Sequence, residues 1–223
     1  MSNTSHKYRN KKIWIWGIII VVLLLVVSFV VSKGNKQVDP ASFTDVETFD
    51  DSPHIKGDPN AEIVLIEYSD FQCPACKAAA PAVADLVDVY GDRLAIEYRN
   101  FPLRQIHPNA QVGAQAAEAA AIQGKFWEMH DLLFERQSEW AESFNPERYF
   151  RDYAQELGLN GDRFRYDFGS DEVKNRVNTD ADEAMALEVP GTPGFVYNGE
   201  VIDMNTFLAE NFAPVVVEES TTE

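Results

Sequence analysis

Cys73 and Cys76 are the only cysteines in the 223-residue chain, and only Pro74 and Ala75 separate them. Two thiols one helical turn apart can close on each other. Such a pair can pass between dithiol and disulfide by exchange with an outside thiol. Its chemistry depends on where the first sulfur sits. A β-branched apolar run, Ile63-Val64-Leu65-Ile66-Glu67-Tyr68, precedes the motif, and a helical pattern follows over 74–90, closed by Gly91. Cys73 therefore stands where a helix begins. Unpaired N–H groups and about half a positive charge there favour a thiolate. Pro74 suits the first helical position, which needs no N–H. Stabilising the thiolate favours the reduced pair and makes the disulfide the better oxidant. Ala75 adds neither charge nor donor, which leaves that role to the helix and backbone.

Other uses of the pair compete poorly. A structural disulfide across so short a loop contributes only about 2 kcal/mol in the loop-entropy picture, and its strained geometry makes it easily reduced. A zinc site wants four ligands. Beyond the cysteines there are only His6, His54, His107 and His130, with no ligand spacing among them. No metal and no cofactor is expected. Copper(I) suits a thiolate pair, so a copper-binding or peptide-holding module is retained as a reading of another class.

Glu67 lies inside the apolar strand, six residues before Cys73. A buried carboxylate is costly without a purpose or partner. With a raised pKa it could move protons to and from Cys76. Periodicity alone favours the plainer alternative, a strand-end carboxylate that faces solvent or pairs with a lysine. Pro81 falls within the helical pattern and should kink it.

The elements that must position these groups follow from pattern. The strand at 63–68 suits a sheet buried on both faces. A second strand at 94–100 completes a βαβ unit with parallel strands. The middle is helical, over 109–123, 125–137, 146–157 and 171–187. Phe126, Trp127 and Phe134 fall at core spacing, with the rim of a peptide groove as their alternative. His107 reads as a structural cap or surface residue, with a place near the cysteines as its alternative. Glu142, Asp180, Asp182 and Glu183 read as solvated faces. The stretch Val189-Pro190-Gly191-Thr192-Pro193-Gly194 breaks the helices. A hairpin with an Asn198-Gly199 turn and a short helix at 205–211 end the domain.

Composition bounds the setting. The net charge is −17 and 45% of residues are hydrophobic. Four of the 19 basic residues (Lys7, Arg9, Lys11, Lys12) precede Ser32, where no acidic residue occurs, so the rest of the chain sets 15 basic against 36 acidic residues. That surface repels polyanions and excludes nucleic acid as a partner. Residues 13–31 carry no charge, and at about 1.5 Å per residue they reach roughly 30 Å, a bilayer's hydrocarbon core. The basic excess before them places the N-terminus in the cytoplasm, with Trp14 and Trp16 near the interface. The run is longer than a cleaved signal's apolar region, and its exit, Val30-Val31-Ser32-Lys33-Gly34, lacks a cleavage pattern. An uncleaved signal anchor is expected, with the acidic domain outside the cytoplasm. The expected organisation is a cytoplasmic tail over 1–12, a transmembrane anchor over 13–31, a tether over 32–54, a domain over 55–213 and an acidic tail over 214–223.

Taken together, these motifs resemble the thioredoxin superfamily, and most closely its DsbA-like extracytoplasmic branch. Glu67-Tyr68-Ser69-Asp70-Phe71-Gln72-Cys73-Pro74-Ala75-Cys76-Lys77 looks like the family's active-site strand and helix start. Pro81 matches its kinking proline. Tyr98-Arg99-Asn100-Phe101-Pro102-Leu103 and Gln123-Gly124-Lys125-Phe126-Trp127 resemble segments of membrane-associated members, and Gly191-Thr192-Pro193 matches the cis-proline loop. The resemblance implies an α/β thioredoxin fold with a helical insertion between its βαβ and ββα halves. It implies that Cys73 and Cys76 are the redox pair and that Glu67 is a buried proton shuttle. Thr192 and Pro193 would shape a substrate groove. It also implies a monomeric oxidase that forms disulfides in reduced or misfolded exported proteins and is re-oxidised by a membrane redox partner. A reductase or disulfide isomerase is the alternative.

Overall fold

The structure is a computed structural model and describes residues 52–212. The expected cytoplasmic tail, transmembrane anchor, acidic tail and most of the tether lie outside the described residues. Among the described residues no helix is long and apolar enough to cross a membrane.

The chain joins its sheet at β1 (His54–Lys56), three residues too few to show a sequence period. His54, assigned by composition to the tether, thus belongs to the sheet. Next comes β2 (Ile63–Ser69), whose β-branched run forms the central strand. Helix α1 (Pro74–Tyr90) and a 3₁₀ turn (Gly91–Arg93) carry the chain to β3 (Leu94–Asn100). β3 lies parallel to β2, with Ile63 opposite Leu94 and Ser69 opposite Asn100. This is the expected βαβ unit. Pro81 does not end α1, which runs through it.

Six helices follow. They are α2 (Ala110–Ala121), α3 (Phe126–Glu135), α4 (Gln137–Trp140), α5 (Glu147–Glu156), α6 (Gly161–Phe168) and α7 (Asp171–Ala186). The chain then returns through β4 (Gly194–Tyr197) and β5 (Glu200–Ile202) and closes with α8 (Met204–Asn211). Asn198 and Gly199 both take positive φ, 51° and 81°, which the tight hairpin turn requires. The sheet order is β1-β3-β2-β4-β5, with only the β2–β3 pair parallel. The βαβ and ββα halves and the helical insertion agree with what the resemblance implies.

Both sheet faces are covered. On one, Ile63, Leu65, Leu94 and Ile96 pack against Val83 and Val87 of α1 and Phe207 of α8. On the other, Tyr68 and Val196 meet Ala181 and Ala184 of α7. Phe126 and Phe134 are buried in the helical core, and Trp127 donates its Nε1–H to the Ile55 carbonyl at 3.2 Å. The core reading holds for Phe126 and Phe134, while Trp127 is partly buried against the same cluster. The reading of Asp180 as solvated does not hold. It is 1% exposed, and Asn100 donates to it from its backbone N–H (3.0 Å) and its Nδ2 (3.1 Å). Asn100 Nδ2 also donates to Glu118 Oε1 at 2.6 Å, and His54 Nε2 lies 3.0 Å from Glu118 Oε2. This buried network joins β1, β3, α2 and α7. A charge at Asp180 is tolerated in the interior because donors surround it.

Candidate active site

The cysteine loop is held from several directions. Cys73 is the N-cap of α1, with extended backbone (φ −71°, ψ 123°) and Pro74 in the first turn. Its N–H donates to the Asp70 carbonyl at 3.0 Å, and its own carbonyl accepts from Lys77 N–H at 3.1 Å. Gln137 Nε2 donates to the Phe71 carbonyl at 2.8 Å and the Cys73 carbonyl at 3.1 Å. The Asp70 carboxylate accepts from Gln72 N–H (2.7 Å) and Leu103 N–H (3.0 Å) and lies 2.7 Å from His107 Nδ1. Gln72 Oε1 accepts from Asn109 N–H at 2.7 Å. Asp70, Gln72, Asn109 and Gln137 received no role from sequence. Asp70 and Gln72 flank the motif, which was their one signal. His107 sits near the cysteines, but its contact is with Asp70.

Both cysteines are free. Cys73 is 7% exposed and Cys76 is fully covered, whereas Pro74 and Ala75 face solvent. Cys73 Sγ donates to the Thr192 carbonyl at 3.5 Å, and the Asp70 N–H donates to Cys76 Sγ at 3.5 Å. Burial pushes the Cys76 thiol up to about 12, and the charge of Cys73 adds to this. Ser69, the Asp70 N–H and Thr192 act against it. The Thr192–Pro193 peptide is cis. The structure therefore sets the Thr192 carbonyl, one residue before Pro193, against Cys73 Sγ.

Glu67 is 4% exposed, so the solvent-facing alternative fails. Burial raises its carboxyl from 4.5 to about 7; the Ser69 hydroxyl and the Lys56 charge oppose this. A carboxyl at that value can hold or release a proton near neutrality. Its β3 neighbour in the parallel register is Tyr98, which packs in one cluster with Phe71, Cys73 and Cys76.

No group of three or more His, Cys, Asp or Glu side chains suited to a metal occurs among the described residues. His54, His107 and His130 each face a single carboxylate, on Glu118, Asp70 and Asp131.

The family model described as Thioredoxin matches residues 50–211. The chain belongs to the thioredoxin family. Solved structures share its fold. A thioredoxin-like oxidoreductase from Silicibacter pomeroyi is 24% identical, with a TM-score of 0.61 over 77% of this chain and 95% of that one. DsbA2 of Pseudomonas aeruginosa is 23% identical, with a TM-score of 0.57 over 71% and 92%. BdbD of Bacillus subtilis, in its oxidised form, is 21% identical, with a TM-score of 0.58 over 68% and 84%. Among curated proteins, the Na(+)/H(+) antiporter NhaA 3 of Salinispora tropica is 43% identical over 149 residues, which are 67% of this chain and 22% of that protein. The Na(+)/H(+) antiporter NhaA 1 of Mycolicibacterium vanbaalenii is 39% identical over 153 residues, 67% and 24% of the two chains. This chain spans about a quarter of the length of these relatives. In this thioredoxin domain, one sulfur is reachable beside the Thr192 backbone and a second is poised beneath it. That arrangement suits exchange with an outside disulfide, which Cys73 attacks and from which Cys76 then displaces the captured sulfur.

Proposed function

We propose that this thioredoxin-family protein is an extracytoplasmic thiol–disulfide oxidoreductase that forms disulfides in exported proteins. The observation that carries this reading is the free pair at the start of α1, with Cys73 outermost and Cys76 covered. A substrate thiolate attacks Cys73 of the Cys73–Cys76 disulfide. The S–S bond breaks, Cys76 leaves as a thiolate, and Glu67 supplies the proton that neutralises it. A second substrate thiolate then attacks the substrate sulfur of the mixed disulfide and expels Cys73. The substrate has lost two electrons and the cysteine pair has gained them. A membrane redox partner carrying its own disulfide takes them up. Thr192 and Pro193 shape the groove, where an extended substrate segment lies along the loop backbone. The charge-free run at 13–31, with its basic excess on the N-terminal side, supports a single-pass anchor with the catalytic domain outside.

The test is turnover of a reduced, unfolded protein substrate. Cys73→Ser should abolish its oxidation, and Cys76→Ala should leave substrates covalently held on Cys73. If Cys73→Ser oxidises the substrate as the wild type does, the mechanism is wrong. The reduction potential of the pair fixes the direction. A value near that of a cytosolic reductant would favour a reductase.

A further inference from the structure

Two hydroxyl oxygens beneath the cysteine pair, Ser69 Oγ and Tyr98 Oη, are buried without a hydrogen-bond partner. The residues are 1% and 0% exposed. A buried hydroxyl in that state is costly, so packing alone does not account for the arrangement.

Their placement is ordered. Strand alternation puts Glu67 and Ser69 on the same face of β2. The parallel register sets Tyr98 beside Glu67. Tyr98 shares its cluster with Cys76 and Phe71, and its ring centroid lies 5.2 Å from that of Phe71. The Ser69 hydroxyl makes no formed hydrogen bond, yet it lies near enough to the Glu67 carboxyl, the Cys76 thiol and the Tyr98 phenol to ease the ionisation of each. Among the described residues no hydrogen bond joins Glu67 directly to Cys76, whose sulfur accepts from the Asp70 N–H. An acid, a hydroxyl and a thiol therefore stand in sequence.

We propose that Ser69 relays the proton between Glu67 and Cys76, and that Tyr98 orients the relaying hydroxyl. This rests on the oxidoreductase reading. A serine hydroxyl has one hydrogen to give and lone pairs to accept another. When Cys76 departs as a thiolate, the hydrogen on Ser69 Oγ passes to Cys76 Sγ. The proton of Glu67 moves to Oγ in its place. Glu67 ends as a carboxylate, Cys76 as a thiol and Ser69 unchanged, and no electrons are transferred. When Cys76 must attack a mixed disulfide, the same path runs backwards. Burial and the nearby Glu67, Cys76 and Asp70 keep the Tyr98 phenol protonated. Its O–H can thus point at Ser69 Oγ and leave the serine hydrogen free for sulfur. The other charged or titratable groups near this chain are Lys56 from β1 and His130 from α3. Lys56 acts on the Glu67 carboxyl, and the His130 ring centroid lies 5.3 Å from that of Tyr98. β4 contributes apolar Phe195 opposite Glu67.

Single-turnover kinetics of the full chain test the relay. A mixed disulfide is formed between Cys73 and a model peptide, and its displacement by Cys76 is followed across pH. Positioned proton transfer contributes about 10²–10⁴-fold to rate, and loss of one link should slow displacement at least ~10-fold in Ser69→Ala. That variant should also lose the pH dependence that Glu67 imparts. Capture of a disulfide-bearing peptide by reduced Cys73, a step in which Cys76 neither leaves nor attacks, should be unchanged. Ser69→Thr, which keeps a hydroxyl, should recover most of the rate, and Tyr98→Phe should show a smaller loss. On the wild type itself, displacement in H₂O–D₂O mixtures should follow a bowed line, as two moving protons require.

A wild-type rate and pH profile in Ser69→Ala, with capture intact, overturns the relay and leaves the oxidoreductase reading standing. So does a straight isotope line, or equal slowing of capture and displacement that threonine does not rescue. If Cys73 captures no peptide in any form of the protein, both fall together.

Discussion

The thiol of Cys73 reaches the carbonyl oxygen of Thr192 at 3.5 Å, joining positions 119 residues apart in the chain. The more exposed of the two cysteines is therefore set against the backbone of the cis-proline loop. Cys76 is fully covered. The division of labour proposed for the two sulfurs rests on this geometry.

Alkylation should read that division directly. Burial holds the Cys76 thiol well above its ordinary range, so little of it is present at pH 8 as the thiolate, the reacting form. Iodoacetamide should label Cys73 at least ~100-fold faster than Cys76, as judged by mass spectrometry of the labelled peptides over time. Equal rates would contradict the burial and the raised value alike.

Glu67 should make stability depend on pH in a definite sense. Its carboxyl is raised from 4.5 to about 7 in the folded protein. Between those values the native state binds more protons than the unfolded chain, so stability falls as pH rises. The contribution is whole below the unfolded value and is lost as pH climbs through the folded one. A shift of that size is worth about 3 kcal/mol. Urea unfolding should show the wild type losing about 2–3 kcal/mol more than Glu67→Gln between pH 5 and pH 8. Parallel pH profiles for the two proteins would show that the buried carboxyl is not perturbed.

The legible parts of this chain are those whose pattern is local. The β2 run and the α1 pattern appear in sequence because apolar spacing, Pro74 and Gly91 mark their limits. Thr192–Pro193 was legible through resemblance alone. β1 was not legible, because three residues show no period. Nor was α6, although Asn160 caps it by accepting from Asp162 and Arg163 N–H; it has only eight residues, opens on Gly161 and lies between Gly158 and Gly169, too short to show a clear period. Alternation placed Glu67 on a face but could not say that α1 would close over it. Asp180 looks solvated beside Asp182 and Glu183, until Asn100 arrives from β3 to donate to it. The brace around Cys73 was invisible for the same reason, since Gln137 reaches the Cys73 carbonyl from 64 positions away.

Asp70 should matter to stability more than a loop residue usually does. Its carboxylate serves Gln72 N–H, Leu103 N–H and His107 together and is completely buried. Asp70→Ala strands two backbone donors and should cost about 3 kcal/mol in chemical unfolding. Asp70→Asn keeps the shape and one acceptor, so it should cost roughly half as much. Alanine and asparagine variants of equal stability would mean that neither the shape nor a remaining acceptor at position 70 holds the loop.

Gly194 fixes how closely β4 can approach the Thr192–Pro193 loop. A Cβ there would overlap Val189 Cγ1 and lie 2.8 Å from the Gly191 carbonyl oxygen. The residue also pairs with Tyr68 of the central strand, so it cannot back away without breaking the ladder. Gly194→Ala should therefore destabilise the domain by roughly 1–3 kcal/mol through overpacking. It should also shift the Thr192 carbonyl relative to Cys73, which the Cys73 alkylation rate would report. Val189→Ala removes the side-chain half of the overlap and leaves the backbone half. The double variant should then show favourable coupling of about 0.5–2 kcal/mol in a mutant cycle without returning to wild-type stability. Strict additivity would mean that Val189 does not press on position 194. A Gly194→Ala change within about 0.5 kcal/mol of wild type would mean that the strand has room the structure does not show.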